Sequence, residues 1–189
     1  GKADENSLIN NSYSSGTVSS SGNYIGGLIG YIQYSIIDNS YSEATVSGSS
    51  VGGLCGGFTA TNLSNSYATG SVSGGNYVGG LVGASWVENG YINNSYATGD
   101  VSGDSYVGGL AGYLYYDSNT LDNSFSTGDV TGSNVVGGLV GRLVSSDQIN
   151  NCHWLNSTGN PNISVGSNFS ISSNPQTSES YFFDTSNEP

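Results

Sequence analysis

Charge is the first thing this sequence is short of. Among 189 residues there are 2 Lys or Arg against 14 Asp or Glu, a net charge of −12. The two strong bases, Lys2 and Arg142, stand far apart in the chain. Phosphate backbones are bound by clusters of Lys and Arg that release counterions, so nucleic acid is excluded as a partner. An anionic membrane surface is excluded on the same ground. Histidine is nearly absent too: His153 is the one copy, and with Cys55 and Cys152 as the only thiols no four-ligand zinc set can be assembled. The sequence contains no run of 18 apolar residues and no charged-then-apolar leader, which predicts no membrane insertion. The sequence opens on Gly1 rather than Met and reads as a mature or excised segment.

What the sequence has instead is glycine, 30 residues of it, with Ser, Asn and Thr filling much of the remainder. Composition alone would place such a chain near the low-complexity class. A period overrules that reading. Tyr77-Val78-Gly79-Gly80-Leu81-Val82-Gly83 recurs around Leu28, Leu54, Leu110 and Leu139, with spacings of 26, 27, 29 and 29 residues. These lie within the range of repeat architectures, in which stacked copies bury a continuous core that no single copy could form.

Aligned on this period, four columns appear. An aromatic recurs at Tyr13, Tyr41, Tyr67, Tyr96 and Phe125, with His153 standing in the sixth place. Four residues earlier comes an aliphatic: Ile9, Ile37, Leu63, Ile92, Leu121, Ile149. Two residues earlier comes asparagine without exception: Asn11, Asn39, Asn65, Asn94, Asn123, Asn151. Five residues later comes Val18, Val46, Val72, Val101 or Val130.

The Val-Gly-Gly-Leu-Val-Gly core, preceded by blocks such as Asn94-Ser95-Tyr96-Ala97-Thr98-Gly99, resembles the GLUG repeat. The resemblance covers roughly residues 9 to 154. It implies a repetitive extracellular module of the kind found in large secreted and surface-anchored bacterial and archaeal proteins, adhesins among them. It implies no particular ligand, because that family is defined by its repeat and not by an activity.

Short β-prone runs separated by glycine, with no apolar 3.6-residue period, predict an all-β chain. Three strands per coil are expected, Ser-Tyr-Ala-Thr, Val-Ser and Val-Gly-Gly-Leu-Val, wound into a parallel β-solenoid (β-helix) of five full coils plus a sixth partial coil. Residues 1–8 form a leader or N-terminal cap, 9–154 the solenoid, and 155–189 an irregular C-terminal cap or linker. That last segment holds Pro161, Pro175 and Pro189, and its Tyr181-Phe182-Phe183-Asp184 run is apolar enough to fold back as a cap. The leucine column (Leu28, Leu54, Leu81, Leu110, Leu139) and the valines are expected inside. Alternation leaves the side taken by the tyrosines open, because Gly-Gly disrupts the count. Cys55 and Cys152 lie three or four coils apart at about 4.8 Å per coil, beyond the ~7 Å reach of a disulfide, so each reads as a small buried substitute.

The asparagine column predicts a ladder of side-chain amides along the axis. The links after each Leu-x-Gly core vary and carry Tyr34, Phe58, Trp86, Tyr113, Tyr115 and Tyr116. They read either as a binding edge or as cover for a corner of the core. Asp100 and Asp129 share a column about 5 Å apart across one coil step. They could hold a weak Ca2+ site, act as the carboxylate pair of a glycosidase, or form a solvated turn pair. Otherwise no cofactor is expected. Six Asn-x-Ser/Thr sequons occur, at Asn10, Asn62, Asn93, Asn156, Asn162 and Asn168, the last three expected to be the more accessible.

The reading that follows is a non-catalytic structural or adhesive module of an extracellular cell-surface protein or fibre. Its expected partners are its own copies end to end, other surface proteins or glycans. A carbohydrate-active enzyme on a β-helix is the alternative. An ice-binding solenoid is a second, weakened because the threonine column (Thr69, Thr98, Thr127) is interrupted by Ser15 and Glu43.

Overall fold

The structure, a computed structural model, describes residues 1–86, 89–115, 119–144, 148–156, 160–166 and 174–176. Corners of Gly, Asn and Ser interrupt the β-prone runs so often that the longest strands, such as Val72–Gly79, have eight residues. None of the described residues is helical.

The strands stack into four parallel sheets of six, seven, six and seven strands, each strand pairing with its equivalent one coil away. Four faces run along the axis where three were expected. The aliphatic face starts with Leu8–Asn10 and continues through Ile36–Asp38, Asn62–Ser64, Tyr91–Asn93, Thr120–Asp122 and Gln148–Asn150. The tyrosine face follows, from Tyr13–Ser14 to His153–Leu155. The valine face ends in three long strands, Val72–Gly79, Val101–Gly108 and Val130–Gly137. The link face runs from Ile29–Gln33 to Val140–Leu143, with Lys2–Ala3 laid on its first strand.

The columns read from the sequence are the observed register. Leu63 pairs with Ile37 and Ile92, Tyr67 with Tyr41 and Tyr96, and Val101 with Val72 and Val130. Leu54 N–H donates to Leu81 C=O at 3.0 Å, so the leucines of neighbouring coils are stacked. Val-Gly-Gly-Leu-Val is not one strand, however. Gly80-Leu81 is a corner between Val72–Gly79 and Val82–Ser85, and the extra corner makes the fourth face.

The same corner divides the interior. A Cβ on Gly80 would lie 2.8 Å from Ala97 Cβ and inside hard contact with the Gly109 carbonyl oxygen. Gly53 meets Ala68 in the same way, also at 2.8 Å. The first four coils are therefore pinched at a waist where glycine stands opposite alanine or serine. On one side lies the main core of Leu, Ile and Phe58; on the other a smaller core of Val46, Val51, Val72, Val78, Val101, Val107 and Val130. Leu54, Leu81, Leu110 and Leu139 are fully buried in the main core, whereas Leu28, in the first coil, is only partly covered.

Pairing continues past residue 154. Trp154 replaces the small residue at the fifth waist, against Gly138, and its indole N–H donates to Pro161 C=O at 3.0 Å. Asn160 Oδ1 accepts from Val130 N–H at 2.6 Å, and Ser164 C=O accepts from Leu139 and Val140 at 2.9 Å. Val165 bridges Val140, and Asn174–Gln176 pairs with His153–Leu155. Described residues of the segment expected to be an irregular cap or linker thus pair with the last coil. The Tyr181–Asp184 run lies outside the described residues.

The waist makes a direct prediction. Gly80→Ala should destabilise the fold by an amount on the order of 3 kcal/mol, because backbone and Ala97 leave no room for a methyl group. Gly75→Ala, where the nearest atom would be 3.9 Å away, should leave the midpoint of thermal unfolding within a degree or so of the parent. Equal midpoints for the two variants would refute the pinched interior.

Candidate functional site

Three polar or aromatic columns and one aromatic cluster carry the side-chain chemistry of the coils. Asparagine recurs at the corner between the aliphatic and tyrosine faces because that corner is left-handed. All six have φ between 45° and 49°, a region that asparagine tolerates better than other non-glycine residues. Their side chains are largely exposed and do not form the continuous amide ladder expected. Asn94 Nδ2 donates to Asn65 Oδ1 at 3.4 Å and Asn151 Nδ2 to Asn123 Oδ1 at 2.7 Å. Elsewhere the chain of bonds steps sideways: Asn39 and Asn65 donate to the Asp38 carboxylate, each at 2.9 Å, and Asn123 to Asn93. The corner explains the column, and the amide contacts are secondary.

The unbroken ladder is the serine one position later, which sequence reasoning passed over. Ser40, Ser66, Ser95 and Ser124 are each 1% exposed. Each hydroxyl donates to the carbonyl two residues back, at 2.7 to 2.8 Å, and accepts the backbone N–H of the serine one coil earlier, at 3.1 to 3.2 Å. This pairing satisfies buried polar groups that the corner would otherwise orphan. The signal was present: serine fills the column five times, and Cys152 takes the sixth place with its thiol on Asn150 C=O at 3.1 Å.

The aromatic column faces outward. Tyr13, Tyr41, Tyr67, Tyr96 and Phe125 stack with centroids 5.4, 4.8, 4.8 and 5.0 Å apart and planes within 14° of parallel. Burial pushes the Tyr41 and Tyr96 phenols upward from their ordinary value. His153 continues the column beside Phe125 on a packed strand, without a second histidine in the chain.

The link aromatics gather on the link face. Tyr24, Tyr77 and Tyr106 sit at left-handed φ of 57°, 55° and 55°, which turns their rings over that face. Tyr77 stacks on Tyr106 at 5.4 Å, and Trp86 and Tyr113 lie 5.2 Å from Tyr77. Tyr115 joins beside Tyr113 at 5.3 Å. The Arg142 guanidinium lies 5.6 Å from the Tyr106 ring and 5.8 Å from the Tyr113 ring, within cation–π range. Burial raises the Tyr113 phenol, and Arg142 opposes that shift. Tyr113 is buried, so part of this cluster covers the sheet. Tyr34 stands exposed at the corner beyond, Phe58 is buried in the main core, and Tyr116 lies outside the described residues.

The remaining sequence candidates are placed as follows. Asp100 and Asp129 are exposed neighbours, with Asp100 Oδ1 accepting the Asp129 backbone N–H at 3.1 Å. No group of three or more His, Cys, Asp or Glu side chains that could hold a metal ion occurs among the described residues. Cys55 and Cys152 are free and buried, and burial pushes both thiols to about 12, which keeps them protonated and inert. Of the sequon asparagines, Asn10, Asn62 and Asn162 are exposed while Asn93 and Asn156 are half-buried. The expected advantage of the C-terminal group therefore does not extend to Asn156. Asn168 lies outside the described residues. No helix among the described residues is long and apolar enough to cross a membrane.

Four stacked faces generated from one coil define a parallel β-solenoid repeat module. Its family follows from the coil itself: the GLUG motif matches residues 21–47, 47–73 and 103–131, each match about one coil long, which supports membership of the GLUG repeat family. No curated protein matches the chain.

Two outcomes follow from these columns. Ser95→Ala removes the acceptor of the buried Ser66 N–H and should cost about 1–3 kcal/mol in urea unfolding. An unchanged unfolding midpoint would show that the ladder is dispensable. The Asp38 carboxyl, held down first by Asn65 and then by Ser64, should titrate below the ordinary aspartate value in an NMR pH series. A depressed native value means stability present above the unfolded-state pKa and lost as pH falls through the native one. In Asn65→Ala the midpoint should move back up.

Proposed function

We propose that this chain is a non-catalytic structural and adhesive module of an extracellular cell-surface protein or fibre. The observation that carries the reading is the residue-for-residue register maintained on four faces, which makes the coil stack a stiff element with long uncharged columns on its outside. A stiff element supports spacing and display. Its near absence of cations suits partners recognised by main-chain, hydroxyl and aromatic contacts rather than by charge.

Two surfaces support the partner assignment. Among the described residues the first-coil strands Leu8–Asn10, Tyr13–Ser14 and Thr17–Ser19 each pair on one side, and such edges suit strands of a further copy or of another surface protein. The outward aromatics of the tyrosine and link faces suit glycans. Non-catalysis is supported by the Asp100 carboxylate already accepting a backbone N–H and by a lone histidine built into a stacking column.

Immunogold microscopy of native cells tests the location: gold on the surface or along filaments is expected, and gold confined to the cytoplasm overturns the reading. Assays of released reducing ends on a polysaccharide panel test the chemistry. Parent and Asp129→Asn should both be inactive, and turnover lost in that variant would make the chain an enzyme.

A further inference from the structure

The five-ring column on the tyrosine face has a property that no single repeat could have. Because the rings stack face against face, each ring's π-surface is occupied by its neighbours, and what reaches solvent is a row of C–H edges and phenol hydroxyls. Tyr13 is 68% exposed, and Tyr41, Tyr67 and Tyr96 keep part of their surface open. None of these four hydroxyls has a hydrogen-bond partner among the described residues. Successive rings lie 4.8 to 5.4 Å apart with planes within 14° of parallel, so the row advances along the axis at the coil pitch.

Its flanks are polar and almost uncharged. On one side run the exposed corner asparagines Asn39, Asn65 and Asn94. On the other, two residues after each ring and outward by strand alternation, stand Thr69, Thr98 and Thr127, with Glu43 one coil earlier. No lysine or arginine lies in these columns.

A polymer that fits this row must be linear, uncharged, rich in hydroxyls and in step with a pitch near 5 Å. An extended peptide advances only ~3.3 Å per residue and drifts out of step within two rings. Polyanions are repelled by a chain of net charge −12 with no local cation. Helically coiled α-linked glucans turn away from a row of near-parallel rings spaced 4.8 to 5.4 Å apart. An extended β-1,4-linked glycan advances by about one coil pitch per sugar and offers both C–H patches and hydroxyls. We propose that the tyrosine ladder binds a neutral, extended β-1,4-linked glycan laid along the solenoid axis, one sugar per coil. This rests on the adhesive reading above and names its ligand class. Each contact is weak, and affinity comes from the number of coils engaged at once.

Titration calorimetry with cello-, xylo- and chito-oligosaccharides of increasing length tests the register and separates the sugar types. Affinity for at least one series should rise with each added sugar up to about the pentamer or hexamer and then level, while maltohexaose should not bind. Tyr67→Phe/Tyr96→Phe keeps the stack and removes two hydroxyls, so it should weaken binding about tenfold with an unchanged unfolding midpoint. Tyr67→Ala/Tyr96→Ala divides the ladder and should abolish the gain with length. Four results would each overturn the proposal: no binding to any β-1,4 series, equal binding of maltohexaose, affinity independent of length, or full affinity in the double Phe variant. Failure here with surface gold labelling intact leaves the surface-module reading standing. Cytoplasmic labelling with length-dependent glycan binding retained would overturn that reading alone.

Discussion

Parallel main-chain pairing between successive coils is the interaction on which everything else in this fold depends. Neighbouring strands can pair only at about 4.8 Å, and parallel pairing in register sets each residue directly over its equivalent. A side chain therefore meets a near-copy of itself above and below, and it must be one that tolerates its own company. Tyrosine does so by stacking, with Tyr67 and Tyr96 at 4.8 Å and 1° from parallel. Serine does so by passing a hydrogen bond along the axis. Charged residues do so poorly, because like charges at that spacing repel without dilution. The scarcity of charge is thus a consequence of the architecture, and Asp100 over Asp129 persists at an exposed turn with a backbone N–H between them.

The interior obeys the same rule in volume. Each coil is pinched where Gly53 meets Ala68 or Gly80 meets Ala97, and the pinch makes a broad core of branched and aromatic side chains and a narrow one of valines. Buried corners are satisfied by hydroxyls, since Ser40, Ser66, Ser95 and Ser124 each both donate and accept. The stack continues past the repeats because Trp154 fills the last waist and Asn160 supplies a carbonyl where a further strand would have done so.

The aromatic arrays lie on the outside of this frame. Two aromatic arrays are built differently: the tyrosine face repeats one ring per coil, whereas the link face gathers rings from unequal segments around Trp86 and Tyr113. A repeated row suits a repeated ligand. The irregular cluster, anchored by Arg142 and partly buried, serves first to cover the sheet beneath it.

The sequence by itself determined the period, the stacking partners and the all-β class, because columns that recur every 26 to 29 residues mark equivalent positions of a repeat and the runs between the glycines are short and β-prone. It also determined that the cysteines stay apart, since the coil rise alone separates them. Tertiary structure decided the rest. The number of faces depended on whether Gly-Gly-Leu continues a strand or turns it, and close approach of the next coil's backbone at Gly80 makes it turn. The side taken by the tyrosines depended on that same corner. The asparagines looked like a ladder because they never vary, yet what holds them constant is a left-handed backbone near φ 47°, a property of the corner's geometry and not of the amide. The serine ladder, equally regular in the sequence, could be recognised only once its hydroxyls were seen to be buried, for regularity marks a stacked position without saying which way its side chain points.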